Sequence, residues 1–329
     1  MRGAPRVRWA LVTVVALLAL TACVQDLGLP DGFSSGSASA VAPNGLIAGT
    51  LSTADAGSRA FLREGREYTL VGTPTPDGWT TASGVNSAGT VVGSMSDGGT
   101  EPSRAFLWDK DGGLRAVPVA IPGTSHSIAT GVNESGQVIG TAATSYVFDQ
   151  ATAFLWSPAE GLRVLAPPAG SSWTHAAGIN DAGQVVGTAS DFRRIGRPVV
   201  WEPPGYEPTL LPTPADQGFA IANDQDGTII GWVAGTEGDG YVRWAPDRSL
   251  TPIAGFTPRD IDGGDVVGTR LTASSVAQAV AWEAGTAGPV PLGSLGGTTI
   301  AAAASNDVIV GSAEVGRDGR VHPARFSVP

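Results

Sequence analysis

Few side chains in this sequence are spaced for chemistry. The three histidines, His126, His175 and His322, never fall in a His-x-His or His-x-x-x-His pair, the spacing a zinc site favours. No strand-to-helix serine elbow offers a nucleophile. Acids do pair beside glycine in Asp109-Lys110-Asp111-Gly112, Asp224-Gln225-Asp226-Gly227 and Asp260-Ile261-Asp262-Gly263. They resemble the opening of a calcium loop but lack its distal glutamate, so turn acids are the simpler reading. Arg193 and Arg194 interrupt an otherwise repeated pattern and suit either an anion or plain solvation. The remaining set is aromatic: Trp79, His126, Trp173, His175 and Phe219, with Phe33 and Phe256 in comparable places. Trp79, His126 and Trp173 each stand seven residues before an asparagine, Asn86, Asn133 and Asn180. Rings around a channel mouth stack on sugars or grip a peptide; equally, they plug loops onto the fold beneath. The expectation is a binding face with no catalytic residue, metal or cofactor.

The N-terminus specifies an address. Arg2, Arg6 and Arg8 precede an uncharged apolar run from Trp9 to Leu20. That is the form of a secretory signal, too short and wrongly flanked for a membrane span. It ends in Leu20-Thr21-Ala22-Cys23, and Cys23 is the only cysteine. The tetrad resembles the bacterial lipobox, whose cysteine is lipidated and becomes the first mature residue. The resemblance implies an exported protein held on the outside of a bacterial membrane, at the cell envelope, by buried acyl chains contributing roughly 0.8 kcal/mol per CH₂. Removing the three signal arginines from 20 Lys+Arg leaves 17 against 30 Asp+Glu, a net charge of −13. Lys110 is the only lysine and no basic run exists. Nucleic acid is therefore excluded as a partner. Without a second cysteine, stability must come from core burial, feasible for about 300 residues.

Internal repetition decides the fold. The string Gly178-Ile-Asn-Asp-Ala-Gly-Gln-Val-Val-Gly187 returns in seven copies, whose terminal glycines are 49, 93, 140, 187, 231, 268 and 311. The steps, 44, 47, 47, 44, 37 and 43 residues, suit one four-stranded blade each. In the copy ending at Gly187 the pattern predicts strands a to d over 174–180, 184–189, 198–201 and 209–211. Asn-x-x-Gly joins a to b as a turn. Strand c carries Arg-Ala-Phe-Leu or its relics, at 59–62, 104–108, 152–156, 199–201, 242–244, 280–282 and 324–326, an aromatic register that packs between blades. Together, Gly-Ile-Asn-x-x-Gly-Gln-Val-Val-Gly and Ala-Phe-Leu-Trp resemble the HAF family of bacterial extracellular repeats, over residues 26–329. Arg59, Arg104 and Thr152 stand where that family typically has histidine. The resemblance implies an exported, β-propeller-like protein.

The expected architecture is all-β: a propeller of seven four-stranded blades closed by an N-terminal strand. The last copy stops after strand c. Residues 26–30, Asp-Leu-Gly-Leu-Pro, resemble Pro291-Leu292-Gly293-Ser294-Leu295 in the d position of the sixth copy, and so can supply the missing strand. Their alternative role is a tether through the Gly-Ser-rich stretch 34–39. The chain thus divides into a signal peptide (1–22), a lipidated N-terminus with closing strand or linker (23–37) and propeller repeats (38–329). The expected function is a monomeric, lipid-anchored, non-enzymatic module that binds a carbohydrate, a peptide or an envelope protein. The alternative is a propeller hydrolase or lyase acting on extracellular polysaccharide.

Overall fold

Each copy of the repeat becomes one antiparallel sheet. The computed structural model describes residues 23–145, 150–235, 239–283, 285–286, 288–316 and 318–328, and the signal segment 1–22 lies outside them. These residues form seven sheets of four strands in a ring, a seven-bladed β-propeller. Blades 1 to 6 occupy 35–70, 79–116, 126–164, 173–210, 218–253 and 257–291. Blade 7 takes strands a to c from 296–327 and its outer strand from Cys23–Asp26. In blade 4 the strands are Trp173–Ile179, Val185–Ser190, Gly196–Trp201 and Pro208–Leu210, within two residues of expectation.

Closure uses the N-terminal strand, one segment upstream of the expected one. Cys23 pairs with Ser327 and Asp26 with Ala324, and Leu27 N then donates to Pro323 O at 3.0 Å. Leu292 N donates to Ala279 O in the same way, so the likeness between Asp26-Leu27-Gly28 and Pro291-Leu292-Gly293 reflects a shared register. A clasp holds the strand: buried His322 places Nδ1 2.8 Å from Asp26 Oδ1, and Tyr68 Oη donates to Leu27 O and Gly28 O. Leu29 and Phe33 pack into the same core as Leu27, and the Gly-Ser stretch is strand a of blade 1 (Ser35–Val41). None of it is a tether.

The terminal glycine of each copy lies inside strand b. Strand a carries a one-residue bulge in all seven blades, in blade 4 between Ala176 and Gly178. The bulge pushes its backbone onto strand b. A Cβ at Gly187 would fall well inside contact with His175 O, as would one at Gly49, Gly93, Gly140, Gly231, Gly268 or Gly311 against the equivalent carbonyl. The extra bulged residue lines the central channel, from Ser39 in blade 1 to Ala302 in blade 7. Ser39, Ser83 and Thr130 donate there to Ala82 O, Ala129 O and Ala176 O of the next blade. Crowding at the axis thus selects Ala, Gly and Ser on the inner strand.

Strand c buries its aromatics at two registers in place of the single one expected: Phe61, Phe106 and Phe154 face the terminal glycine, and Trp201, Trp244 and Phe326 lie two residues further on. Phe61, Phe106, Phe154, Trp201, Trp244 and Phe326 are fully buried between sheets. The alanine before the phenylalanine, or before Val280 in blade 6, has its own task. Its N–H donates to a hydroxyl on strand a of the next blade: Ala60 to Thr80, Ala105 to Ser127, Ala153 to Thr174 and Ala279 to Thr299. Where proline replaces that alanine, at Pro198 and Pro323, the facing register holds glycine, Gly218 and Gly36. The pairing is physically coupled, because proline has no N–H and a facing hydroxyl would lose its donor.

Candidate functional site

The ladders assign two unlike faces. Turns from a to b and from c to d lie on one face, where Cys23 and Ser327 also lie, while the b-to-c and d-to-a loops share the other.

At the turn face the seven seams are stapled around the axis. Asn44, Asn86, Asn133, Asn180 and Asn306 donate Nδ2 to Ser87 O, Asn133 O, Asn180 O, Asp224 O and Pro43 O of the next blade. In Asn86, Asn133 and Asn180 the Oδ1 accepts from the backbone within its own turn, so one amide serves turn and seam together. Carboxylates complete the ring: Asp224 accepts from Gly263 N and Gly264 N, and Asp262 from Asn306 N. The asparagines expected as turn formers therefore also couple blades. Positive φ belongs to the glycine three residues on, such as Gly183 at +80°.

The channel inside this ring has a volume of about 270 Å³. Asp260, on its wall, accepts from Ile261 N and Ala304 N. Burial pushes its carboxyl up to about 7, against those hydrogen bonds and with help from Asp262 and Asp224. Burial also raises Asp262. Among the described residues no group of three His, Cys, Asp or Glu side chains is placed to hold a metal.

The loop face is irregular, and its irregularity is concentrated at one seam. Opposite each terminal glycine's successor lies an inner-strand residue. Six successors are hydroxyl residues, Thr50, Ser94, Thr141, Thr188, Thr269 and Ser312; the seventh is Trp232. Trp232 pairs with Phe219, their rings 5.6 Å apart and 16° from parallel. With His175, Thr188, Ser190, Arg194 and Gln217 they line an open pocket of about 430 Å³ between blades 4 and 5. This is one of the seams where proline faces glycine and the inter-blade hydroxyl bond is missing. Burial lowers the pKa of His175, so its imidazole is neutral at pH 7. Asp191 shapes the rim: its Oδ1 accepts from Arg193 N and Ile195 N and its carbonyl from Arg194 N, setting Arg194 at φ +63°. Phe192 at the loop tip is 73% exposed, with Arg193 over its ring.

Of the residues expected to form the binding face, His175 and Phe219 meet in this pocket. Trp79, His126 and Trp173 do begin strand a of blades 2, 3 and 4 at a common register, half-buried, but they do not line it. His126 Nδ1 accepts from Ser103 N. Phe256 is not a mouth residue; it is buried against Ile253 and Ile261, and Phe33 joins the closing segment's core. Cys23 is exposed on the opposite face. Gly32-Phe33-Ser34-Ser35-Gly36, which the sequence reading overlooked, matches the Gly-x-Ser-x-Gly letters of a serine elbow, yet Ser34 donates to Ser52 O at the entrance to a strand and no helix follows. Trp232 is the residue the sequence reading missed. Its signal was available: aligning the copies on the terminal glycine isolates one tryptophan among hydroxyls.

No family model matches the chain, and no curated protein matches it in sequence. Solved structures do. A streptogramin B lyase aligns over 93% of this chain and 98% of its own at a TM-score of 0.55 and 11% identity. The β-propeller domain of the trilobed protease from Pyrococcus furiosus, described as an open velcro topology, covers 89% and 94% at 0.59 and 12%. A puromycin hydrolase aligns over 88% of this chain but 53% of its own, at 0.58 and 13%. At such identities the likeness shows the propeller fold alone.

Proposed function

We propose that this protein is an exported, lipid-anchored β-propeller of the HAF-repeat type whose loop face binds a ligand at the cell envelope without chemical turnover. The observation that carries the reading is the single aromatic break in an otherwise hydroxyl-bearing register, Trp232 on Phe219, at a seam that also lacks the hydroxyl bond from strand c to the next blade. A half-exposed aromatic pair adds little to a propeller that closes elsewhere without one. A pocket of 430 Å³ lies within the roughly 300–1,000 Å³ of small-ligand sites. Anchoring through Cys23 fits the geometry: the residue is exposed and opens the outer strand of blade 7 on the turn face, so acylation there leaves the loop face turned away from the membrane.

The test uses soluble protein carrying Cys23→Ser, sedimented with purified envelope fractions. The wild-type pocket should be retained at least ten times more strongly than Phe219→Ala/Trp232→Thr; equal retention contradicts the reading. Wild-type protein should fractionate with membranes and Cys23→Ser should not.

Asp260 favours a second reading, a hydrolase or lyase for extracellular polysaccharide, because a channel carboxyl near 7 suits general acid–base work. Both its oxygens already accept backbone N–H groups. Release of reducing ends from envelope polysaccharide that is abolished by Asp260→Asn would establish this reading over the first.

A further inference from the structure

The pocket between blades 4 and 5 has a chemistry narrower than binding in general. Phe219 and Trp232 are stacked, each covering one face of the other, so the shelf they offer is an outer ring face of the stack, with Phe219 39% exposed. The face of such a ring is electron-rich and attracts weakly positive C–H groups. Around the shelf stand two hydroxyls, Thr188 and Ser190, the amide of Gln217 and the imidazole of His175. Each of these both donates and accepts hydrogen bonds, the imidazole because burial keeps it neutral. A flat C–H surface fringed by groups that donate and accept is the complement they describe. No carboxylate lines the pocket among the described residues, and Arg194 is its one cation. An extended peptide added as a strand needs an open sheet edge, but strand b of blade 4, the pocket's floor, is paired on both sides.

We infer that this pocket seats a pyranose ring of a neutral oligosaccharide, its C–H face on an outer ring face of the Phe219–Trp232 stack and its hydroxyls shared among His175, Thr188, Ser190 and Gln217. The inference rests on the binding-face reading above and makes it specific. The other six blades give the same conclusion by contrast: hydroxyls at this register face Ser37, Thr81, Ile128, His175, Thr257 or Ile300, and no other blade pairs two aromatic rings there.

The experiment titrates the Cys23→Ser protein with hexaoses of β-1,4-glucose, α-1,4-glucose and β-1,4-N-acetylglucosamine, with oligogalacturonate, and with a displayed random-peptide library. Calorimetry and tryptophan fluorescence supply the readouts. At least one neutral hexaose should bind and shift the fluorescence, and Trp232→Thr, which restores the residue type of the other blades, should weaken it at least tenfold with an unchanged melting temperature. Phe219→Ala should do the same and stands in if Trp232→Thr folds poorly. The inference is overturned if no neutral hexaose binds, or if one binds Trp232→Thr as tightly as wild type. Trp232-dependent binding of oligogalacturonate or peptide, with none of a neutral hexaose, also overturns it while leaving the binding-face reading intact.

Discussion

The two ends of the channel are built on opposite rules. At the turn end every seam is closed by a side chain reaching the next blade, and where asparagine is absent aspartate takes over, as Asp224 and Asp262 do. At the loop end the seams differ, and the one between blades 4 and 5 has exchanged a hydroxyl bond for Pro198 and Gly218 and gained Trp232. Repetition marks what every blade needs in order to stand beside its neighbour. Departure from it marks what one seam does alone.

Perturbing the repeated features should cost stability in proportion to how many blades each supports. Deleting Cys23–Asp26 exposes strand c of blade 7 as an open edge and removes the Asp26 partner of buried His322. The expected result is the largest loss of the series, several kcal/mol by order of magnitude, with concentration-dependent association in sedimentation runs. Gly187→Ala forces a methyl against the carbonyl of His175 and should cost about 2–3 kcal/mol in thermal or denaturant unfolding. The equivalent change at Gly183 meets no backbone atom, and its smaller penalty should come from the positive φ.

A subtler comparison sets Asp260 on the channel wall against the glycine or alanine that every other blade places at its register. Asp260 has a folded pKa of about 7 against an ordinary 3.8, so the native state holds a proton that the unfolded chain releases. Its protonation therefore stabilises the fold fully below pH 4, and that contribution declines as pH rises to 7 and is absent above it. Asp260→Asn keeps an oxygen acceptor and has no charge to bury. Its NH2 group faces one of the two backbone donors, so its melting temperature should be lower at pH 4 but should lose that decline toward pH 8; a parallel pH profile would refute the assignment.

Much of this is legible in the sequence. Seven copies, their spacing near one blade length and a last copy lacking strand d are consequences of chain periodicity, and they led to seven blades and N-terminal closure. The closing strand was placed slightly late because similarity to residues 291–295 fixes a register without showing which side of it pairs. Why glycine recurs at 187 and its equivalents inside strand b was not legible, since nothing local announces a bulge on the neighbouring strand. The aromatic face was half legible. Composition singled out His175 and Phe219 along with Phe256, but whether a ring points into a pocket or a core is decided by pairing across blades. Trp232 was hidden in a strand, where a large apolar residue looks ordinary until it is compared with Thr188 and its counterparts.

The central claim, that one seam divides structure from function between its two ends, is tested by pairing Asn180→Ala with Trp232→Thr and measuring melting temperature and envelope retention for both. Asn180 staples blades 4 and 5 at the turn end through Asp224 O at 3.0 Å, and its loss should cost about 1–3 kcal/mol while the protein still folded retains its binding. Trp232→Thr should melt with wild type and lose retention at least tenfold. If instead Trp232→Thr melts as early as Asn180→Ala and the two lose retention together, the pocket is one more seam contact and the account is wrong.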